Sequence, residues 1–358
     1  MSEQKHTEDV DKLLSEVVKR DATDLHISVG RPPILRIDGS LVDIAGWPAF
    51  TVESAKNLIL SLLNSDQQEK LTANRDVDLS LTFENKARFR VNIYQESNNL
   101  AAALRFIPSR VRTIEDLNLP PVLHKFTQAS QGFFLVVGPS GHGKSTALAA
   151  MVDEINHSRQ DHIITIEDPI EYVFVQDKCI IDQREVGMDV GDFHAGLRAM
   201  FRQDADVCMI GEMRDPETIS AAMTAAETGH LIFSTLHTNT AAQTIDRIID
   251  TFPPHQQGQI KMQLAATLLG VLSRRLIPAV NGGMINAVEL LIANSALRNL
   301  IREGKTHQID MVIETSYEEG MISLNRSLSD LVSRGMITYE NAAIYSNNPY
   351  ELKMILQR

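Results

Sequence analysis

Nine consecutive residues constrain this chain more than any others. Gly138, Pro139, Ser140, Gly141, His142, Gly143, Lys144, Ser145 and Thr146 satisfy G-x-x-x-x-G-K-[ST], the P-loop pattern whose backbone N–H groups cradle phosphates. The flanks agree with it. Phe133, Phe134, Leu135, Val136 and Val137 form an apolar run that reads as a buried strand. Leu148, Met151, Val152 and Ile155 follow at i, i+3, i+4 and i+7, the stripe of an amphipathic helix. Glycines let the loop turn tightly and approach an anion, and the helix N-terminus adds partial positive charge. Lys144 is expected to reach the β- and γ-phosphates and Ser145 to hold Mg²⁺, with ATP as the nucleotide.

Length and charge narrow the classes. The chain has 358 residues, enough for two domains, and a net charge of −12. That balance argues against general nucleic-acid binding, which needs a basic footprint. Cys179 and Cys208 are the only cysteines. They form no C-x-x-C pair and read as small buried residues of a reducing compartment. No apolar run approaches the length of a membrane span, and the first residues lack a signal-peptide core. A cytoplasmic location follows as the expectation, with docking on a membrane complex left open.

The first hundred residues read as a small α+β unit. Val10, Leu13, Leu14 and Val17 mark a helix. Asp38, Gly39 and Ser40 sit between two short apolar runs, a hairpin signal. Val77, Leu79, Leu81 and Phe83 alternate along one strand, and Phe89, Val91 and Ile93 along the next, with Arg88 and Arg90 on its other face. A return strand ends near Ile107 and carries Arg105. The boundaries expected are a domain over 1–110, a proline-containing linker over 111–120 and an α/β domain over 121–358. The last of these alternates strand and helix in the P-loop manner, with a largely parallel sheet. From about residue 295 it reads as helices.

In open α/β sheets, ligands bind beyond the carboxyl ends of the strands. Glu167 ends one core strand, Glu212 lies just past another, and His237 ends a third. The strand before Glu212 departs from the usual P-loop pattern, because Gly211 stands where an aspartate would bind Mg²⁺. Asp206 begins that strand and lies on the order of 16 Å from its far end. Glu212 is therefore alone on its strand, and Glu167 is the natural second carboxylate. His237 is placed to face the γ-phosphate. His230, at the start of the same strand, has no evident role.

These residues resemble the type II/type IV secretion ATPases, and within them the motors of type IV pilus retraction. Thr23 to His26, and Arg31 to Gly39, match the family's PAS-like N-terminal domain. Segments around Arg88 and Arg90, and from Leu104 to Pro108, match its arginine-bearing strands. Thr165 to Tyr172 resembles its Asp box, Ile210 to Asp215 its atypical Walker B element, and Gly229 to Thr240 its His box. The resemblance implies a homohexameric, RecA-like ATPase holding ATP between its two domains. Arg90 and Arg105, and less directly Arg88, would be γ-phosphate sensors or fingers. Glu212 would be the catalytic carboxylate that orients water. Glu167, with His237 nearby, would support Mg²⁺ and water, the metal bound by Ser145 and reached by Glu167 or Glu212 through water. Ala296, Leu297, Arg298, Asn299, Leu300, Ile301, Arg302 and Glu303 resemble the AIRNLIRE motif of retraction motors, with Leu297 in place of isoleucine. Leu297, Leu300 and Ile301 are expected to face the core. Arg298 and Arg302 would share a second face, free for a neighbour. The tetracysteine zinc element and longer N-terminal region of assembly ATPases are not seen. His142 replaces the family's common small residue and stands to alter nucleotide affinity or its pH dependence; Ala147 replaces a second threonine.

The partners so implied are copies of the chain itself, an inner-membrane pilus platform protein at the pilus base and a second retraction ATPase, with no nucleic acid. Two other classes compete: an accessory subunit that does not hydrolyse ATP, against which Lys144, Ser145, Glu167 and Glu212 argue, and a RecA-like nucleic-acid translocase, against which the acidic balance argues.

Overall fold

The computed structural model describes residues 8–37, 39–83, 87–107 and 111–357. Asp38, Pro108 and the residues at the expected 110/111 boundary on its N-terminal side lie outside that set. By contact the chain divides into two units, Met1–Arg110 and Val111–Arg358.

The first unit is built on a six-stranded sheet. Its strands are β1 (Asp24–Ile27), β2 (Ile34–Ile37), β3 (Ser40–Asp43), β4 (Asp76–Phe83), β5 (Ala87–Glu96) and β6 (Asn99–Ile107). They lie in the order β3-β2-β1-β6-β5-β4, every neighbouring pair antiparallel. The alternation read from sequence is the cause: Phe89, Val91 and Ile93 of β5 are fully buried, with the arginines on the other face. Ser97 and Asn98 take positive φ between β5 and β6, which gives the tight return. The helix Glu8–Lys19 buries Val10, Leu13, Leu14 and Val17. Two further helices, Val52–Leu60 and Ser65–Asn74, start with capping boxes at Thr51 and Asn64.

The second unit has a seven-stranded sheet: β7 (Gly132–Val137), β8 (His162–Glu167), β9 (Ile180–Glu185), β10 (Val207–Ile210), β11 (Leu231–Leu236), β12 (Leu268–Pro278) and β13 (Met284–Ile292). The order is β13-β12-β7-β11-β10-β8-β9. All neighbours are parallel except β12 and β13, which form an antiparallel hairpin at one edge. Every residue of β7, β10 and β11 is buried, the expected state of parallel strands covered on both faces. Ile210 lies opposite both Ile166 and Ser234, and Leu236 opposite Val137. The carboxyl ends of β7, β8, β10 and β11 are thus brought level.

The stretch 111–120, expected as a linker, packs into this second unit. Ile114, Leu117 and Leu119 are buried in its core, so their apolar surface outweighs the proline content. Among the described residues five α-helices follow residue 294: Ser295–Glu303, Ile309–Thr315, Leu324–Ser333, Tyr339–Tyr345 and Pro349–Leu356. Among the described residues no helix is long and apolar enough to cross a membrane.

Candidate nucleotide site

The P-loop joins β7 to the helix Lys144–Ser158. Two of its glycines are forced by close packing as well as by left-handed φ. A Cβ on Gly138 would stand 2.5 Å from the Arg274 carbonyl oxygen, and one on Gly143 would stand 3.1 Å from an Arg274 guanidinium nitrogen. The reason is register. β12 runs parallel beside β7 with Ser273 opposite Val137, so the next residue, Arg274, lies against the loop. Arg274 is 1% exposed. It donates to the Gly143 carbonyl and, through Nε at 3.1 Å, to Asn286 Oδ1. Asn286 in turn donates to the Leu117 carbonyl at 2.7 Å. Among the described residues no carboxylate lies within ion-pair reach of Arg274. Burial pulls its guanidinium down to about 10. A buried arginine beside the loop carries no sequence motif, and the sequence alone did not single it out.

Lys144 opens the helix and is buried. Its ammonium donates to the carbonyls of Gly138 at 3.0 Å and Pro139 at 3.1 Å. Burial holds it below the usual lysine range, opposed by the charges of Glu171 and Glu212. Glu171 is thus an acidic neighbour that position at a strand end could not reveal; the segment from Thr165 to Tyr172 was its only signal. Ser145 is half-buried in the first helical turn. Thr146 Oγ1 and the Tyr172 hydroxyl are 2.9 Å apart, which ties the helix start to that same segment.

His237 bridges the loop and Glu212. Its Nδ1 lies 3.3 Å from Ser140 Oγ and 3.4 Å from Lys144 Nζ, both donors. Nδ1 is therefore the acceptor, and Nε2 carries the proton toward Glu212 Oε2 at 3.3 Å. The other Glu212 oxygen accepts from Arg214. Ser140, Lys144, His237 and Glu212 are thus brought together as the strand ends suggested. His230 lies at the other end of β11, where Nδ1 meets the Ala225 carbonyl at 3.0 Å and closes the turn.

Glu167 ends β8 and is 5% exposed. Its Oε1 accepts from Thr165 Oγ1 at 2.6 Å and Gln183 Nε2 at 3.2 Å, and its Oε2 from the Glu171 N–H at 3.4 Å. These donors are neutral. Burial pushes its carboxyl up to about 7, with the hydrogen bonds pulling the other way.

His142 is an anchor in this structure. Its Nδ1 accepts from the Leu276 N–H at 2.9 Å, which fixes the loop tip to β12. Burial and the charges of Arg275, Lys144 and Arg274 lower its pKa below the usual histidine value. Geometry and charge agree here, because protonation would break that bond and add a fourth cation beside three others.

The retraction-type segment also departs from expectation. On the helix Ser295–Glu303, Leu297 and Ile301 are fully buried and Leu300 partly so. Arg298 does not share a free face with Arg302. Its guanidinium donates to the carbonyls of Ala265, Ala266 (2.8 Å) and Leu268 (3.0 Å), which end the helix Pro254–Thr267. Those carbonyls lack helical donors, so a cation is drawn to them. Arg302 is exposed and donates to Asn299 Oδ1.

In the first unit, Arg90 and Arg105 lie directly opposite each other on β5 and β6. Arg105 Nε donates to Asp24 Oδ1 at 2.9 Å, and Arg36 Nε lies 3.7 Å from the other oxygen of Asp24. Arg88 is half-buried on β5.

The model of the type II/IV secretion system protein family matches residues 2–287. The type IV pilus retraction ATPase PilT of Pseudomonas aeruginosa is 42% identical over 334 residues, 93% of this chain and 97% of that protein. A twitching motility protein of Neisseria gonorrhoeae is 43% identical over 317 residues, covering 88% and 84%. The crystal structure of the pilus retraction motor PilT with bound ADP superposes with a TM-score of 0.91 at 43% identity, covering 96% of this chain and 99% of that one.

Proposed function

Since this chain belongs to the type II/IV secretion system protein family, we propose that it hydrolyses ATP to drive the retraction of a type IV pilus. The observation that carries this reading is likeness over nearly the full length, in sequence and in fold, to proteins named as retraction ATPases and motors. The bound ADP of that solved relative supports a nucleotide at the P-loop.

The residues divide the work. Gly138 and Gly143 bring backbone N–H groups close enough to cradle phosphates. The Lys144 ammonium, now on loop carbonyls, exchanges them for phosphate oxygens and stabilises their charge. His237 holds the Ser140 hydroxyl on one side and Glu212 on the other. Glu212, held between Arg214 and His237, is the group that orients the attacking water. Ser145 and the carboxylates of Glu167 and Glu212 are oxygen donors of the kind that suit Mg²⁺, directly or through water. When bound, Mg²⁺ would neutralise charge on the phosphate oxygens. Arg90 and Arg105, with Arg88, are the candidates for sensing the γ-phosphate, where arginine stabilises the transferring group. The working assembly is a homohexamer, cytoplasmic and docked on the platform at the pilus base, alongside a second retraction ATPase.

Two measurements on one strain test the reading. The purified chain should show steady-state ATPase activity, and cells lacking it should carry excess pili and fail to twitch. Bald cells would assign the motor to extension. Absence of ATPase activity in the assembled protein would favour an accessory subunit.

A further inference from the structure

The geometry points to Arg274 as a second cation of the nucleotide site, placed behind the P-loop, whose charge is balanced by the phosphates. The inference rests on the nucleotide-binding reading of the loop and adds to it a residue outside the loop's motif.

Three observations carry it. First, the guanidinium is almost fully buried, yet among the described residues it has no carboxylate within ion-pair reach. Its partners are neutral oxygens, those of Gly143 and Asn286. A buried charge without a counter-charge is costly, and most buried arginines are paired. Second, it lies against the loop itself. It touches Gly143, the residue at the N-terminus of the P-loop helix, where an anion is expected. Third, it is held there by a dedicated partner. Asn286 accepts from two of its nitrogens while its own amide is fixed on Leu117. A guanidinium needed only to fill space could be replaced by an apolar side chain of similar volume.

The same placement makes Arg274 a positioning residue. Its donation to the Gly143 carbonyl orients the peptide that enters the helix, while its own carbonyl packs on Gly138. The loop's base therefore takes its shape from β12. Because this happens before hydrolysis, ATP, ADP and inorganic pyrophosphate should feel it alike. Such uniform binding changes KM and leaves kcat nearly unaltered.

The test uses the full chain with the substitutions Arg274→Met and Arg274→Lys, and Lys144→Ala as the reference. Affinity for pyrophosphate, ADP and ATP is measured by calorimetry, and apo stability by thermal melting. Arg274→Met should lose about tenfold or more in affinity for all three ligands, and Arg274→Lys should recover part of it. The apo melting temperature of Arg274→Met should stay within about 3 °C of the parent, since an uncompensated buried charge is removed. A role confined to packing would instead lower the apo melting temperature and affinity together. Unchanged affinity in folded Arg274→Met, with affinity lost in Lys144→Ala, overturns the inference and leaves the site intact. Retained affinity in Lys144→Ala sinks the reading of the loop itself. Should Arg274→Met not fold, Asn286→Ser frees the guanidinium without removing its charge. Severalfold weaker pyrophosphate binding in that variant supports the inference, and wild-type binding overturns it.

Discussion

Glu167 sits at the end of β8 with its carboxyl pushed up to about 7, mainly by burial. Glu289 is shifted equally, to about 7, although it accepts from the Ala241 N–H at 2.7 Å. The sign of the consequence is fixed. Each folded carboxyl holds its proton more tightly than the unfolded one, so stability is greatest below the ordinary value of 4.5 and is lost as pH rises toward 7. For Glu167 alone the loss is on the order of 3 kcal/mol. Melting of the apo protein should therefore fall between pH 5 and pH 8, and Glu167→Gln should remove part of that slope while Glu289 keeps the rest. A flat profile in the parent would contradict the burial argument. Mg²⁺ with nucleotide should restore stability at pH 8, because a cation near Glu167 favours its ionised form. The division of labour at the same site gives a second expectation. Lys144→Ala should lose nucleotide binding. Glu212→Gln should keep it and lose turnover by about a hundredfold or more, since an amide cannot serve as a base. Near-parental hydrolysis in Glu212→Gln would transfer the catalytic role to Glu167.

Among the elements, the helix Ser295–Glu303 separates what a motif shows from what only packing shows. Its apolar spacing correctly placed Leu297 and Ile301 inside. It could not reveal that Arg298 caps another helix, because the orphan carbonyls of Ala265, Ala266 and Leu268 come from a segment some thirty residues away in sequence. The two arginines should therefore part company. Arg298→Ala should lower stability by about 1–2 kcal/mol. Arg302→Ala should leave melting and ATPase rate near those of the parent, and on the retraction reading should leave pili extended on the cell surface. Equal effects of the two on melting would remove the capping account. The same limit applies to the sheet. Strands β7, β8, β10 and β11 were legible from apolar runs ending in polar residues, and their ends brought His237 and Glu212 to the loop. The hairpin of β12 and β13 was not, although Asn281, Gly282 and Gly283 carry a hairpin signal, because the apolar runs on either side lack the clean alternation that separates a strand from a helix pattern. With it went Arg274 and the anchor for His142, both of which exist only through strand register.

For the whole molecule, the proposed ring makes the first unit's arginines part of the chemistry. Arg105 is steadied by Asp24 and lies opposite Arg90. Arg90→Ala and Arg105→Ala should lower kcat far more than ATP affinity, and Asp24→Asn should follow Arg105→Ala in milder form. Loss of affinity with unchanged kcat would place these arginines in simple binding. Mass measurement should find active hexamers; activity confined to monomers would remove the ring. Three successive residues of β12 tie the loop to the rest of the second unit. Arg274 holds the loop's base, and the N–H of Leu276 holds its tip through His142. Between them Arg275 reaches the other way, to the Tyr345 carbonyl and to Asn347 Oδ1 at 2.7 Å, among the last helices. The consequence is kinematic. With His142 and Gly143 both fastened to one strand, a shift at this end of the loop would be shared with β12 and, across a single residue, with the last helices that Arg275 grips.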